Sequence, residues 1–209
     1  MIKYIFLCFC LFFSSHLFAQ NNLQTKNILI IGDSIGAGFG VAQNKSWSHL
    51  LQQRLTQKHY PYKVINASIS GDTTSGGRKR LEKSLQVHQP DIVIIELGGN
   101  DGLRGLNLNQ MQSNLANMIE QCQQKNIKVL LVGMQLPPNY GLSFTRRFSS
   151  IYQTLATDKK IPLVPFLLAG FADNPAFFQA DQIHPNASAQ IYILDNIWQQ
   201  LEPMLNNRS

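Results

Sequence analysis

The run Asp91-Ile92-Val93-Ile94-Ile95-Glu96-Leu97, closed by Gly98-Gly99, decides the fold. Four consecutive branched aliphatic residues leave no polar position for a solvated face, so the segment reads as a strand buried on both sides. Such a strand belongs to a parallel sheet with helices on each face. Outward from it, strand patterns recur at 27–32, 63–67, 128–134 and 163–166, and helical periodicity at 46–60, 73–85, 108–125, 143–158 and 187–205. This order predicts an α/β fold: a single-domain, three-layer α/β/α sandwich built on a parallel sheet. No stretch reads as a linker or an internal repeat.

The 209 residues are 44% hydrophobic and 14% charged with 14 Gly and 9 Pro, which excludes a disordered polyelectrolyte and a collagen-like repeat. Part of that hydrophobicity lies at the front. Lys3 precedes an apolar run over 4–13, followed by Ser14, Ser15 and a cut after Ala19. A basic start, a run too short for a comfortable span and a small residue at the cut describe a secretory signal peptide over 1–19, leaving a domain over 20–209. Leu17 is larger than usual for its place before the cut, and the alternative is an uncleaved anchor. Phe9 before Cys10 is too large for a lipoprotein site. The expected location is the periplasm or the outside of a Gram-negative-type bacterium.

Processing removes Cys8 and Cys10 and leaves Cys122 alone, so no internal disulfide can form. Cys122 continues the apolar helix face of Leu108, Met111, Leu115, Met118 and Ile119, which favours packing over nucleophilic chemistry. Loss of Lys3 lowers 18 basic residues to 17 against 12 acidic ones, a net +5. The basic residues are scattered apart from Arg78-Lys79-Arg80, Arg146-Arg147 and Lys159-Lys160, so nucleic acid is not an expected partner, whereas transient contact with an anionic membrane surface is compatible with the charge.

In sheets of this class the site lies beyond the carboxyl ends of the strands. Gly32-Asp33-Ser34, Ser70-Gly71-Asp72 and Gly98-Gly99-Asn100-Asp101 follow the first three strands, and Asp181-Gln182-Ile183-His184-Pro185 precedes the last helix. A serine hydroxyl needs a base within hydrogen-bond reach and a third group to orient that base. Ser34 as nucleophile, His184 as base and Asp181 as its carboxylate supply the set. The N–H groups of Ser34 and Gly71 and the side-chain amide of Asn100 can form an oxyanion hole. Taken singly, each residue has an ordinary alternative as a cap, turn former or loop residue; convergence of four clusters on one edge favours chemistry.

The stretch 32–36 also satisfies the Gly-x-Ser-x-Gly elbow of α/β-hydrolases, but the serine follows the first strand, no His-Gly-Gly-Gly loop occurs, and Asp181 and His184 are only three residues apart. The glycines at 36, 38 and 40 do not make a dinucleotide fingerprint, and no Gly-Lys-Ser/Thr occurs. After processing there is no Cys pair or His-x-x-x-His, so no metal site is expected.

The four blocks, Ile-Gly-Asp-Ser34-Ile-Gly-Ala-Gly, Asn-Ala-Ser-Ile-Ser-Gly71-Asp-Thr-Thr, Glu-Leu-Gly-Gly-Asn100-Asp and Asp181-Gln-Ile-His184-Pro, resemble the SGNH (GDSL-type) hydrolases. Together with Leu136-Pro-Pro-Asn-Tyr-Gly141 they are similar to the bacterial thioesterase I/lysophospholipase/arylesterase branch, over essentially 27–197. The resemblance implies a flavodoxin-like sheet of about five parallel strands, a serine hydrolase with Ser34, Asp181 and His184 as its triad, Ser34, Gly71 and Asn100 as its oxyanion hole, and no metal or organic cofactor. Ile35 stands where Leu usually follows the serine, and Gly36 where this branch often has Ser; the glycine is expected to loosen the turn.

The implied substrates are acyl esters, lysophospholipids and thioesters, small molecules acted on by a chain expected to be a monomer. Candidates for the acyl pocket are Leu136, Pro137, Pro138 and Tyr140 and, before the acid-base pair, Phe171, Phe177 and Phe178. Two other functions fit the same chain: deacetylation of a carbohydrate, and a non-catalytic lipid-binding module on the same fold.

Overall fold

The computed structural model describes residues 25–205, and the expected leader lies outside them. Five parallel strands, β1 (Lys26–Gly32), β2 (Tyr62–Asn66), β3 (Ile92–Glu96), β4 (Lys128–Val132) and β5 (Leu163–Val164), form one sheet in the order β2-β1-β3-β4-β5. The helices are α1 (Ser34–Ala37), α2 (Trp47–Gln57), α3 (Thr74–His88), α4 (Gly99–Leu103), α5 (Leu108–Gln124), α6 (Leu142–Lys159) and α7 (Gln190–Leu201). Helix α2 packs with α7 on one face of the sheet, and α3, α5 and α6 pack in series on the other.

The doubly covered reading of the central strands holds. Ile28 to Ile31 of β1 and Ile92 to Ile95 of β3 are all fully buried. These strands run in register, Ile28 beside Ile92 and Gly32 beside Glu96. The chain leaves β1 towards β2 on one side and later returns to place β3 on the other. Their carboxyl ends therefore diverge into a crevice at the point where strand order reverses, the usual place for a ligand. Trp47, the first residue of α2, is fully buried with its indole N–H donating to the Ile35 carbonyl at 3.1 Å, which ties α2 to the turn after β1.

Three local departures from the sequence reading have simple causes. The stretch 187–205 is not one helix: the Asn186 side chain accepts from the Ser188 N–H at 3.0 Å and sets a 3₁₀ turn over Ala187–Ala189, and Pro203 turns the end into a second over Glu202–Met204. Strand β5 is only two residues long, bounded by Pro162 and Pro165, which have no N–H for the ladder. Helices α1 and α4, of four and five residues, are too short and glycine-rich to carry a periodic pattern.

Cys122 sits fully buried on the inner face of α5, and burial pushes its thiol up to about 12. In the folded protein it should therefore resist alkylation by iodoacetamide at neutral pH and react only after denaturation. Peptide mass spectrometry of the 122 site checks this; rapid native labelling would contradict the packing role.

Candidate active site

Where β1 ends, the chain turns at once into α1. Asp33 makes the turn: its Oδ1 accepts the Ile35 N–H at 3.0 Å, capping the helix and presenting Ser34 as its first residue. Glu96, opposite in register and fully buried, holds the same turn from the neighbouring strand. Its Oε2 accepts the N–H groups of Asp33 at 3.2 Å and Gly36 at 3.0 Å. The expectation of a loosened turn at Gly36 is thus corrected. A Cβ there would lie 2.5 Å from the Ser68 hydroxyl and 2.7 Å from Glu96 Oε2, so the glycine makes room for the carboxyl oxygen that pins the turn.

Two carboxyl groups so close in a dry site cannot both ionise freely. Burial raises Asp33 from 3.8 to about 6, and burial together with the Asp33 charge pushes Glu96 well above the ordinary range. Both shifts favour the uncharged form. Asp33 accepts an N–H from Asn100 Nδ2 at 3.2 Å through its second oxygen, Oδ2. Asn100, in α4 just beyond β3, is oriented in this way with its remaining amide hydrogen free of Asp33.

Gly71 takes φ +78 in the loop after β2, a left-handed conformation that suits glycine. The N–H groups of Ser34 and Gly71 donate to no acceptor among the described residues. Arg104 at the end of α4 joins the two loops: its guanidinium donates to the Gly71 carbonyl at 2.9 Å and to Asn100 Oδ1 at 3.4 Å. The sequence offers no pattern that singles out Arg104 or Glu96, because the contacts of Arg104 with Gly71 and of Glu96 with the serine turn span 33 and 60 or more residues.

His184 and Asp181 come from the connection between β5 and α7. The Asp181 carboxylate accepts the N–H groups of Ile183 at 2.9 Å and His184 at 3.0 Å through Oδ1, and the His184 ring N–H at Nδ1 through Oδ2 at 2.7 Å. The backbone N–H of His184, its ring and the Ile183 N–H together hold the Asp181 carboxyl at about 2. With Nδ1 donating, Nε2 is the acceptor, and it lies 2.9 Å from Ser34 Oγ. The loop is stitched by Gln179. Its side chain donates to the carbonyls of Phe39 at 2.7 Å and Pro185 at 3.1 Å, and its backbone N–H to that of His184 at 2.8 Å. Phe39 lies 4.7 Å, centroid to centroid, from the His184 ring.

Ser34, Asn100 and His184 open into a cavity of about 500 Å³, and Leu136, Pro137, Pro138 and Phe178 line it as expected. Tyr140 does not line it. Its ring packs against the core and its hydroxyl donates to the Leu103 carbonyl at 3.1 Å, so it fastens the loop after β4 to α4. Phe171 and Phe177 are also absent from the wall; they stack with each other and with Tyr192. Met134, Phe166 and Leu168, unassigned by the sequence, complete much of the apolar wall. Asp181 and Gly71 lie outside the lining, behind His184 and beside Asn100. Among the described residues, no three His, Cys, Asp or Glu side chains converge as metal ligands would.

A model of the GDSL-like Lipase/Acylhydrolase family matches residues 30–190. The chain belongs to that family. The hydrolase is 47% identical to esterase TesA of Pseudomonas aeruginosa over 180 residues, 86% of this chain and 90% of that protein. A crystal structure of TesA superposes with a TM-score of 0.84, covering 86% of this chain and all of the other. The hydrolase is also 41% identical over 182 residues to the Escherichia coli protein called thioesterase 1/protease 1/lysophospholipase L1, covering 87% of this chain and 86% of that one. By these relationships it is an ester hydrolase.

The carboxyl pair under the serine turn of the hydrolase gives two tests. Glu96→Ala leaves two buried N–H groups unpaired and should cost about 2–4 kcal/mol of stability in urea unfolding. Glu96→Gln, whose amide oxygen can accept both, should recover most of it; equal losses in the two variants would contradict the acceptor role. Because the folded state keeps on Asp33 a proton that the unfolded chain releases near 3.8, this group's contribution is complete below that pH and is lost as pH rises through about 6. The stability of wild type relative to Asp33→Asn should accordingly fall between pH 4 and 7.

Proposed function

We propose that the protein cleaves acyl carboxyl esters through an acyl-enzyme on Ser34, acting as a monomer whose triad comes from one chain. The observation that carries this reading is the 2.9 Å approach of His184 Nε2 to Ser34 Oγ, with Nδ1 held at 2.7 Å by Asp181, at the mouth of an apolar cavity. In the first half-reaction His184 takes the hydroxyl proton as Oγ bonds to the substrate carbonyl carbon. The oxygen of the tetrahedral intermediate gains negative charge and is met by the N–H groups of Ser34 and Gly71 and the Asn100 amide. His184 then gives its proton to the departing oxygen or sulfur. Water enters, loses a proton to His184, attacks the acyl carbon and releases the acid with Ser34 restored. Asp181, held at about 2, stays charged through this cycle and stabilises the imidazolium.

The cavity supports a medium or long acyl chain, since about 500 Å³ with walls from Leu136, Pro137, Phe166 and Phe178 exceeds what an acetyl group fills. That weighs against carbohydrate deacetylation, and the hydrogen-bonded serine weighs against a non-catalytic lipid binder. The names of the relatives agree with esters, lysophospholipids and thioesters as substrate classes. The leader over 1–19 supports export, with 20–209 as the hydrolase domain. Among the described residues no helix is long and apolar enough to cross a membrane. Acyl-CoA, a cytosolic thioester, is then not the natural substrate.

Turnover of p-nitrophenyl octanoate by wild type, Ser34→Ala and His184→Ala tests the assignment. Each variant should lose about 10⁴-fold or more in kcat, and an organophosphonate should label wild type at Ser34 alone. Substantial residual activity in either variant would overturn the nucleophile and base. Asn100→Ala should lower kcat by about 10²–10³-fold with little change in KM; a loss confined to KM would assign Asn100 to ground-state binding instead.

A further inference from the structure

The exposed apolar side chains of this protein are not scattered. Phe39, Ile69, Leu106, Leu142 and Ile183 are each 42–65% exposed. One falls on each of the five connections leaving the carboxyl ends of β1 to β5. Ile191 and Tyr192, also exposed, stand on the first turn of α7 at the same edge, and only Val87 among the exposed large apolar residues described lies at the opposite end, in the last turn of α3. Singly exposed apolar residues are ordinary, but five on one edge, around one cleft, are a surface feature.

The charges on the two edges differ as well. At the amino-terminal edge Lys58 pairs with Glu202, Lys125 with Glu82 and Lys159 with Glu120, while Lys160 beside them is exposed with no ion pair to a described carboxylate. At the catalytic edge Arg104, Arg146 and Arg147 are exposed and form no ion pair with a described carboxylate. Arg104 and Arg147 bond only to neutral acceptors, Gly71 and Asn100 for the first and Asn109 for the second. Apolar tips interspersed with unmatched guanidiniums are complementary to the boundary between phosphate headgroups and acyl chains.

We propose that the carboxyl edge is a docking surface for an anionic phospholipid bilayer. The five apolar tips enter the headgroup boundary, the three guanidiniums meet lipid phosphates, and the cleft opens against the membrane so that a lipid ester reaches Ser34 without first dissolving in water. Ile183 lines the cavity and Phe39 packs on His184, so the rim and the site are continuous. This inference rests on the ester-hydrolase reading of the cleft and adds the surface from which it draws substrate.

The test uses protein expressed from the full-length gene, with every variant processed alike so that any effect of the leader cancels. Binding is measured by co-sedimentation with phosphatidylcholine vesicles prepared with and without phosphatidylglycerol. Arg146→Gln with Arg147→Gln should weaken partition to the anionic vesicles by about 25-fold and leave partition to neutral vesicles unchanged. Ile69→Ser with Leu142→Ser should weaken both. In all these variants kcat/KM for soluble p-nitrophenyl butyrate should stay at the wild-type value, while hydrolysis of lysophosphatidylglycerol carried in vesicles falls with binding. Wild-type partition in every variant, or no partition of wild type to the anionic vesicles, overturns the docking surface and leaves ester hydrolysis standing. Loss of soluble-ester turnover in wild type would instead overturn the reading of the cleft, with vesicle binding alone then deciding the rim.

Discussion

Oε2 of Glu96 takes the N–H groups of Asp33 and Gly36 together, and this pair of bonds couples the end of β3 to the turn that leaves β1. The coupling is possible because Gly32, in register with Glu96, has no side chain: a Cβ there would stand 2.5 Å from the carboxyl oxygen. From that junction the rest follows in order. The fixed turn presents Ser34, and the Asp33 side chain, fixed in the same turn, orients Asn100. A buried carboxyl is an expensive way to hold a loop, and the upward shift that burial imposes on Glu96 eases that cost. The arrangement trades stability for placement of a serine and an amide just beyond the ends of two different strands.

The cleft divides between β3 and β4. Its polar wall comes from the ends of β1 and β3, where Ser34 and Asn100 sit, and its apolar wall from the connections after β4 and β5, where Leu136, Phe166 and Phe178 sit. Ser34 and Asn100 thus sit apart from most of the apolar wall, which can vary in shape without disturbing the turn held by Glu96, while His184 shares the β5 connection with Phe166 and Phe178. Tyr140 belongs to neither wall; by bonding to Leu103 it sets the distance between the loop after β4 and α4.

The sheet was legible because a parallel strand buried on both faces leaves an unbroken aliphatic run, as at Ile92 to Ile95. The residues around the reaction centre were legible because Ser34, Gly71, Asn100, Asp181 and His184 each sit in a short polar block at a strand end, in an order shared with a known family. What escaped notice acts at a distance in sequence. Glu96 looks like the polar terminus of a strand, and only the register with β1 reveals what it holds. Arg104 is one of many scattered cations until α4 brings it against Gly71. Tyr140 and Phe178 are alike as apolar loop residues; a single hydroxyl contact sends one to the core and leaves the other on the cleft. Gly36 was misread because a missing side chain suggests slack, whereas here it makes room for an acceptor.

The two sides of the proposed acid-base apparatus are anchored very differently. Ser34 follows a fully buried strand, whereas Asp181 and His184 lie on a largely exposed connection stitched down by the side chain of Gln179, with the Phe39 ring against the imidazole. Few buried contacts hold that connection, so it belongs to the low end of the local-opening scale. Lifting it parts the imidazole from the serine while sheet, core and carboxyl pair remain intact. The meeting of imidazole and serine thus rests on a latch at the surface, whereas the native fold rests on the buried sheet.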